Sequence, residues 1–449
     1  VNKQQEMAEI NLLFDELFPL CRSITGQGLR DTLTLLSEKL PLEVFGIPTG
    51  TQVFDWVIPE EWVIRDAWLK GPNGEIIANF RTNNLHILNY STPVNEVMPL
   101  AKLKEHLYTI PGLPDAIPYV TSYYTRRWGF CLSHKQLEQL EDGDYLAYID
   151  SEMINGELNY AHAFLPGESK REILISTYIC HPSMANNELS GPLAAAFLYN
   201  RIANWPNRRY TYRFVFVPET IGSIAYLHRF GKQMKERTHA GLVLTCLGGQ
   251  KKLSYKLSRS GKNPLDRIWQ QMIAHGQYEG GTRPFTPEFG SDERQYCSPG
   301  FNLPVGQMAR TVYGDYPGYH NSLDTKESMT IEAIQQSIDE LESLLQMNEA
   351  EGCYINQFPY GEVKLDKHDL YPDMNAPATR FLSSNEIVDS RTQLNRILML
   401  LNYSDGKHTL LDIAERSKCN IDGLMPYVQK LVEKGLLEGP FHEKGRELG

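Results

Sequence analysis

Apolar residues recur three and four positions apart in EINLLFDELFPL and LRDTLTLLSEKL, and this spacing predicts two amphipathic helices within residues 5–40, parted at SITGQG. Beyond them the period shortens. WVIRDAWLKGPNGEIIANF carries two aromatic and β-branched runs on either side of Pro72-Asn73-Gly74, a turn that suits a hairpin. YLAYIDSEMINGELNYAHAFLPG repeats that arrangement around Asn155-Gly156. The stretch from about residue 45 to 168 therefore predicts short strands joined by turns.

Next, EILISTYIC, YTYRFVFVP and GLVLTCLGG are continuous apolar runs, and GPLAAAFLYNRIAN and SIAYLHRFGKQMKE between them have helical spacing. Strands apolar on both faces, alternating with helices, predict an α/β unit with a doubly wound mixed, mostly parallel sheet. PLDRIWQQMIAHG, NLPVGQMAR and TIEAIQQSIDELESLLQMNEA continue the series as a helix, a strand and a long closing helix. FPYGEVKLDKHDLYPDMNAPATR has no period and reads as a linker. After it come three helical patterns and EKGLLE, which suits a wing strand, so the C-terminal part has a winged-helix layout. The expected organisation is N-terminal helices of the α/β domain (1–44), an inserted β-rich domain (45–168), the α/β domain itself (169–355), a linker (356–376) and a winged-helix domain (377–449).

Composition excludes more than it identifies. No apolar run approaches the roughly 18 residues that span a bilayer, and the first residues have charges throughout and no apolar stretch like that of a secretion signal. A cytoplasmic protein is expected. Seven cysteines without a CxxC pair predict reduced thiols. A formal net charge of −11 argues against broad affinity for nucleic acid or anionic membranes. The winged-helix part has ten basic and ten acidic residues. This neutrality favours protein contact or self-association over phosphate reading.

Ligands of doubly wound sheets gather at the carboxyl ends of the strands, and four polar clusters follow the apolar runs. His181 and Glu188 offer an imidazole and a carboxylate, the donors zinc favours; the plain alternative is a histidine satisfied by backbone and an acidic residue in the first turn of a helix. Glu219 after VFVP could take a proton from an activated water, or simply begin a helix. Tyr319 and His320 could supply an oxyanion donor and a ligand, with Asp324 on the other imidazole nitrogen. Asp292, Glu293 and Arg294 stand in a row, where Arg294 could grip a carboxylate or lie in a solvated loop.

In this order the clusters resemble the M28-like zinc aminopeptidase family. That family's strand-end histidine, ANDNxSG turn, GEExG stretch, NxDxxG strand end, SDH loop and final YH with a nearby DT are matched by His181, ANNELSG (185–191), PETIG (218–222), TCLGG (245–249), SDE (291–293) and YHNSLDT (319–325). The resemblance covers about residues 170–345. With its β-rich insertion and C-terminal winged helix, the whole chain is similar to a bacterial group often labelled as polysaccharide-biosynthesis proteins with an aminopeptidase-like domain. The match implies a sheet of zinc-aminopeptidase type, Glu219 as general base and Tyr319 as oxyanion donor. Three family metal carboxylates fall on Asn187, Thr220 and Cys246, so a single zinc held by His181, Glu188 and His320 is expected instead of two. Asn187, Asp292, Arg294 and Asp324 are expected to bind substrate or support the ligands. Cys246 is a further candidate ligand or a buried thiol, and either Asn187 or Glu188 could face the metal.

The leading expectation is a zinc-dependent hydrolase of an amide or peptide bond, acting on a peptide or an N-acylated small substrate. A catalytically inactive peptidase fold used for binding or scaffolding is the alternative, and a ligand-sensing DNA-binding regulator the third.

Overall fold

The computed structural model describes residues 2–275, 278–372, 379–380 and 387–441. The chain divides into two units, Val1–Ser260 with Arg283–Glu340 and Gly261–Thr282 with Leu341–Gly449.

In the first unit α1 (Lys3–Leu17) buries Ile10, Leu13, Phe14 and Leu17, the one face that its spacing makes apolar, and α2 (Gln27–Ser37) buries Leu29, Leu33 and Leu36. An eight-stranded sheet follows, seven of whose strands are β1 (Glu43–Pro48), β2 (Glu157–Leu165), β3 (Glu172–Tyr178), β4 (Thr211–Val217), β5 (Thr238–Leu244), β6 (Ser254–Lys256) and β7 (Val305–Ala309). Their spatial order is β1-β2-β4-β3-β5-β7-β6. β3 pairs in parallel with β4 on one side, Tyr178 opposite Val217, and with β5 on the other, Ile175 opposite Leu242; β5 pairs in parallel with β7. β1, β2 and β6 run antiparallel to their neighbours. Every residue of β3 is buried, as a strand covered on both faces requires. The helices α3 (Ser190–Ala203), α4 (Ile221–Arg237) and α5 (Ile331–Ala350), the last of which passes at Glu340 into the second unit, follow the expected pattern. Because β3 sends its successors to opposite sides, a crevice opens at its carboxyl end.

Within the β-rich stretch, Glu61–Lys70 and Ile76–Asn79 pair as a hairpin across Pro72-Asn73-Gly74, where Gly74 has φ 82°. They join Asp144–Ile154 and Val94–Pro99 in a four-stranded antiparallel sheet. The second expected hairpin does not close. Asp144–Ile154 alternates buried and half-buried positions and stays in this sheet, whereas β2 is buried almost throughout and enters the large one. Asn155-Gly156 is thus a passage between sheets, and β1 and β2 pair with each other at Glu43 and His162.

In the second unit Cys353–Asn356 lies between Asp405–Thr409 and Leu437–Phe441 in a three-stranded antiparallel sheet. The helices Ser390–Tyr403, Leu410–Arg416 and Met425–Glu433 bury Leu400, Leu410, Ile413 and Leu431. Pro426 sits in the first turn of its helix, where no hydrogen bond is lost. The end of the expected linker and the charged residues Glu386, Glu443, Lys444, Arg446 and Glu447 lie outside the described residues.

Candidate functional site at the strand ends

β3 ends at Tyr178 and delivers Cys180 and His181 to the crevice, after which a π-helical turn, Ala185–Leu189, leads into α3. Turns of this kind recur at functional sites because the widened backbone exposes amide groups. Two of those amides are captured by Asp324, whose Oδ1 accepts from the backbone N of Asn186 at 2.9 Å and Oδ2 from that of Asn187 at 2.8 Å. Burial pushes the Asp324 carboxyl up to about 6 in spite of these bonds. Asp324 therefore fastens the turn, where a contact to the His320 ring had been expected.

Glu188 is fully buried behind His181. Its Oε2 accepts from the His181 backbone N at 3.0 Å and lies 3.0 Å from His181 Nδ1. Arg22, from the loop between α1 and α2, is fully buried too, with Nε 2.9 Å from the His181 carbonyl and 3.5 Å from Glu188 Oε1. Burial opposes an imidazolium at His181, the Cys180 sulfur and the Glu188 carboxylate favour it, and the net direction is upward. With Nδ1 facing Glu188, Nε2 is turned to the crevice.

There it meets Glu219, which follows β4. Glu219 Oε2 is 3.6 Å from His181 Nε2, and Oε1 accepts from the Ser291 hydroxyl at 2.6 Å. Its side chain is 26% exposed, so substrate can reach it. Asp292 is buried beneath, accepting from the Thr220 backbone N and the Ser223 hydroxyl, both at 2.8 Å. Burial and the nearby Glu219 charge push its carboxyl up to about 8. Arg294 donates to the carbonyls of Ser291 and Pro287 and so supports the same loop. Cys246, after β5, has its thiol pushed up to about 12 by burial and stays neutral.

The His320 ring lies 5.3 Å from that of His181 and is stacked on Tyr319 at 4.0 Å. Burial and the His181 charge push it down to about 3. Tyr119, from the β-rich region, touches both imidazoles, at 5.3 and 5.4 Å between ring centres, and its backbone N donates to the His320 carbonyl at 2.8 Å. Ser183, Thr220, Cys246 and His320 all adopt left-handed φ, between 46° and 64°. Strained non-glycine residues persist where surrounding structure holds them, typically at functional sites.

His181, Glu219 and His320 face a cavity of about 300 Å³ that Trp56, Tyr119, Tyr123 and Tyr124 wall in. A larger one of about 800 Å³ in the second unit, lined by Tyr403, Asp405 and Arg416, contains none of these groups. Sequence reading brought out His181, Glu219 and His320, quoted Ser291 only within the SDE match, and gave no place to Arg22, Trp56 or Tyr119. Only the arginine in PLCRSITG, a charge beside an apolar segment, could have signalled its place.

The expected zinc ligands do not meet at one point. Glu188 addresses the Nδ1 side of His181, opposite the nitrogen that faces the cavity. Among the described residues no group of three or more His, Cys, Asp or Glu side chains is placed to hold a metal ion. Asn187, Thr220 and Cys246, which the motif resemblance aligns with family metal carboxylates, are neutral groups and poor donors for a two-zinc centre.

Residues 11–351 match the family model described as "Domain of unknown function (DUF4910)", and residues 352–439 match a winged helix-turn-helix model. The chain belongs to the first of these families. A Clostridium acetobutylicum protein is 40% identical over 416 residues, 93% of each chain, and its name assigns it provisionally to polysaccharide biosynthesis with an aminopeptidase-like domain. A crystal structure from the same organism, described provisionally as a peptidase, superposes with a TM-score of 0.88 at 38% identity, covering 97% of each chain. A zinc aminopeptidase from Bacillus subtilis shares the fold alone, with a TM-score of 0.56 and 11% identity over 77% of this chain and 95% of that one. The aminopeptidase-type α/β fold with a C-terminal winged helix is thereby established, as is the expected kinship with the bacterial group named for an aminopeptidase-like domain. Among the described residues no helix is long and apolar enough to cross a membrane.

Proposed function

We propose that this protein hydrolyses an amide bond near the amino end of a peptide-like substrate, at the cavity between His181, Glu219 and His320. The observation that carries the reading is the Glu219 carboxylate, fixed by Ser291 through one oxygen and turned to His181 Nε2 and the cavity through the other. Glu219 takes a proton from the attacking water and returns it to the departing amine. Glu188 and Arg22 hold the His181 ring so that Nε2 faces the reacting carbonyl, and Tyr319 stands beside His320 as a further donor. A zinc held by His181, Glu188 and His320 has no cradle in this placement, so every step is assigned to protein groups. The fold of the Bacillus subtilis aminopeptidase and the naming of the Clostridium relatives support the reaction class.

Glu219→Gln is the test, assayed on aminoacyl and N-acyl amides. Loss of a proton-transfer group lowers the rate by about 10²–10⁴, and an unchanged rate sinks the assignment. The neutral Asn187, Thr220 and Cys246 favour one second reading, a peptidase fold kept for binding; it takes over if the wild-type chain cleaves nothing. We read the winged helix as a protein-contact or self-association element. All seven cysteines are free thiols, which supports a cytoplasmic setting.

A further inference from the structure

We propose that the cavity beside Glu219 is the first of two side-chain subsites and that the apolar hollow beyond Trp56 is the second, taking a bulky uncharged side chain of the same peptide. The proposal rests on the amide-hydrolase reading. The second hollow, about 400 Å³, is walled by Phe54, Trp56, Ile224, Leu227 and Phe301. Trp56 lines both spaces and stands between them.

α4 is their common floor. Thr220 and Ile221 line the first space, and Ile224 and Leu227 the second. At about 1.5 Å per residue, Ile224 lies roughly 4.5 Å and Leu227 roughly 9 Å beyond Ile221 along the helix. An extended peptide advances about 3.3–3.6 Å per residue, so the two spaces lie within reach of neighbouring residues of one substrate.

The partition is built in. Trp56 is carried by a hairpin, Gln52–Val53 with Trp56–Val57, whose turn holds Phe54 at φ 54°. An aromatic residue in that left-handed region is strained. Its ring sits edge-on to His228 at 5.2 Å and to Phe301 at 5.8 Å, and Trp56 meets Tyr124 edge-on at 5.8 Å. Phe54, Trp56 and Tyr124 are nevertheless 51%, 37% and 58% exposed. A contiguous exposed apolar cluster beside reactive groups marks a binding surface.

Charge selects the occupant. Among the described residues neither space is lined by Lys or Arg, and the lining carboxylates are Glu219 and Asp55. A phosphate, a uronic acid or an acidic side chain would meet repulsion there, and in the second hollow, where Asp55, Gln295 and Ser298 are the polar side chains among Phe, Trp, Ile and Leu, most hydroxyls of a sugar would be poorly satisfied. A peptide fits better, its amino-terminal residue beside Glu219 and its next residue, aliphatic or aromatic, in the second hollow.

The full-length Glu219→Gln chain is titrated calorimetrically with leucyl-phenylalanine amide, leucyl-glycine amide, leucyl-glutamate amide and N-acetylglucosamine. The phenylalanine peptide is expected to bind at least tenfold tighter than the glycine peptide, with the glutamate peptide and the sugar weaker than both. A Cβ at Gly300 would meet nothing within 4 Å, so Gly300→Trp fills the hollow without a backbone clash and is expected to bring the phenylalanine-to-glycine ratio close to one. A ratio already near one, a ratio that survives Gly300→Trp, tighter binding of the sugar, or no binding of any probe overturns the proposal. Hydrolysis by the wild-type chain separates the two claims. Selective binding without cleavage removes the enzyme and keeps the subsite; cleavage of both peptides at equal kcat/KM removes the subsite and keeps the enzyme.

Discussion

Arg22 and Glu188 are each without solvent contact, and each is the other's counter-charge. Burial draws the guanidinium below its usual range while the Glu188 charge works against that shift. Breaking a buried pair from one side leaves an uncompensated ion, which costs about 3–5 kcal/mol. Arg22→Met is therefore expected to lower the urea unfolding free energy by that amount, and Arg22→Met with Glu188→Gln to recover most of it. Equal losses in the single and double variants would show that the charge pair is not the cause. The same placement occupies Glu188 and leaves His181, Glu219 and His320 on the cavity, with no group of three such side chains among the described residues placed to hold an ion. Elemental analysis of the purified chain should find well under one zinc per molecule, and a stoichiometric ion lost on His181→Ala would overturn this reading.

At the next scale, α3 reaches the strand ends because its second residue, Gly191, has no side chain. A Cβ at Gly191 would lie 2.4 Å from Thr177 Oγ1 and 2.7 Å from the Leu244 carbonyl oxygen. Neither neighbour is a flexible chain end, so Gly191→Ala is expected to cost about 1–3 kcal/mol, read as a lower urea midpoint. No change in the midpoint would mean that α3 slides freely. Such elements were legible from period alone: the buried runs of β3, β4 and β5 and the spacing of α1 and α2 state which faces are covered. The Asn155-Gly156 turn misled because a turn signal marks a reversal without saying which sheet receives the next strand; the alternation before it and the apolar run after it held that answer. Of the site, His181, Glu219 and His320 were legible because each follows an apolar strand or stands in a Gly- and Pro-rich loop at a sheet edge. Glu188 lies on the Nδ1 side of the imidazole, and spacing could not decide this, since a one-residue shift in the turn exchanges Asn187 and Glu188. Arg22, Trp56 and Tyr119 come from loops with no period, and contacts between such distant positions leave no mark on spacing.

For the molecule as a whole, a net charge of −11 makes self-repulsion grow with pH, and one carboxyl in the second unit adds a steeper dependence. Glu351 is buried where the backbone N of Leu411 donates to its Oε2 at 2.9 Å. Burial pushes its carboxyl from an ordinary 4.5 up to about 7, outweighing that bond. Below pH 4.5 the folded and unfolded chains both hold the proton, and the fold bears no penalty. Between about 4.5 and 7 the unfolded chain releases it while the folded chain keeps it, so stability falls as pH rises through this window. The total is on the order of 3 kcal/mol, as a shift of a few pK units implies. Glu351→Gln keeps an acceptor for Leu411 and removes the titration. Amide exchange in Leu410–Arg416, corrected for intrinsic rate, should therefore show protection falling from pH 5 to pH 8 in the wild-type chain and staying level in the variant. Parallel profiles in the two chains would mean that the decline comes from overall charge and that Glu351 ionises without cost to the fold.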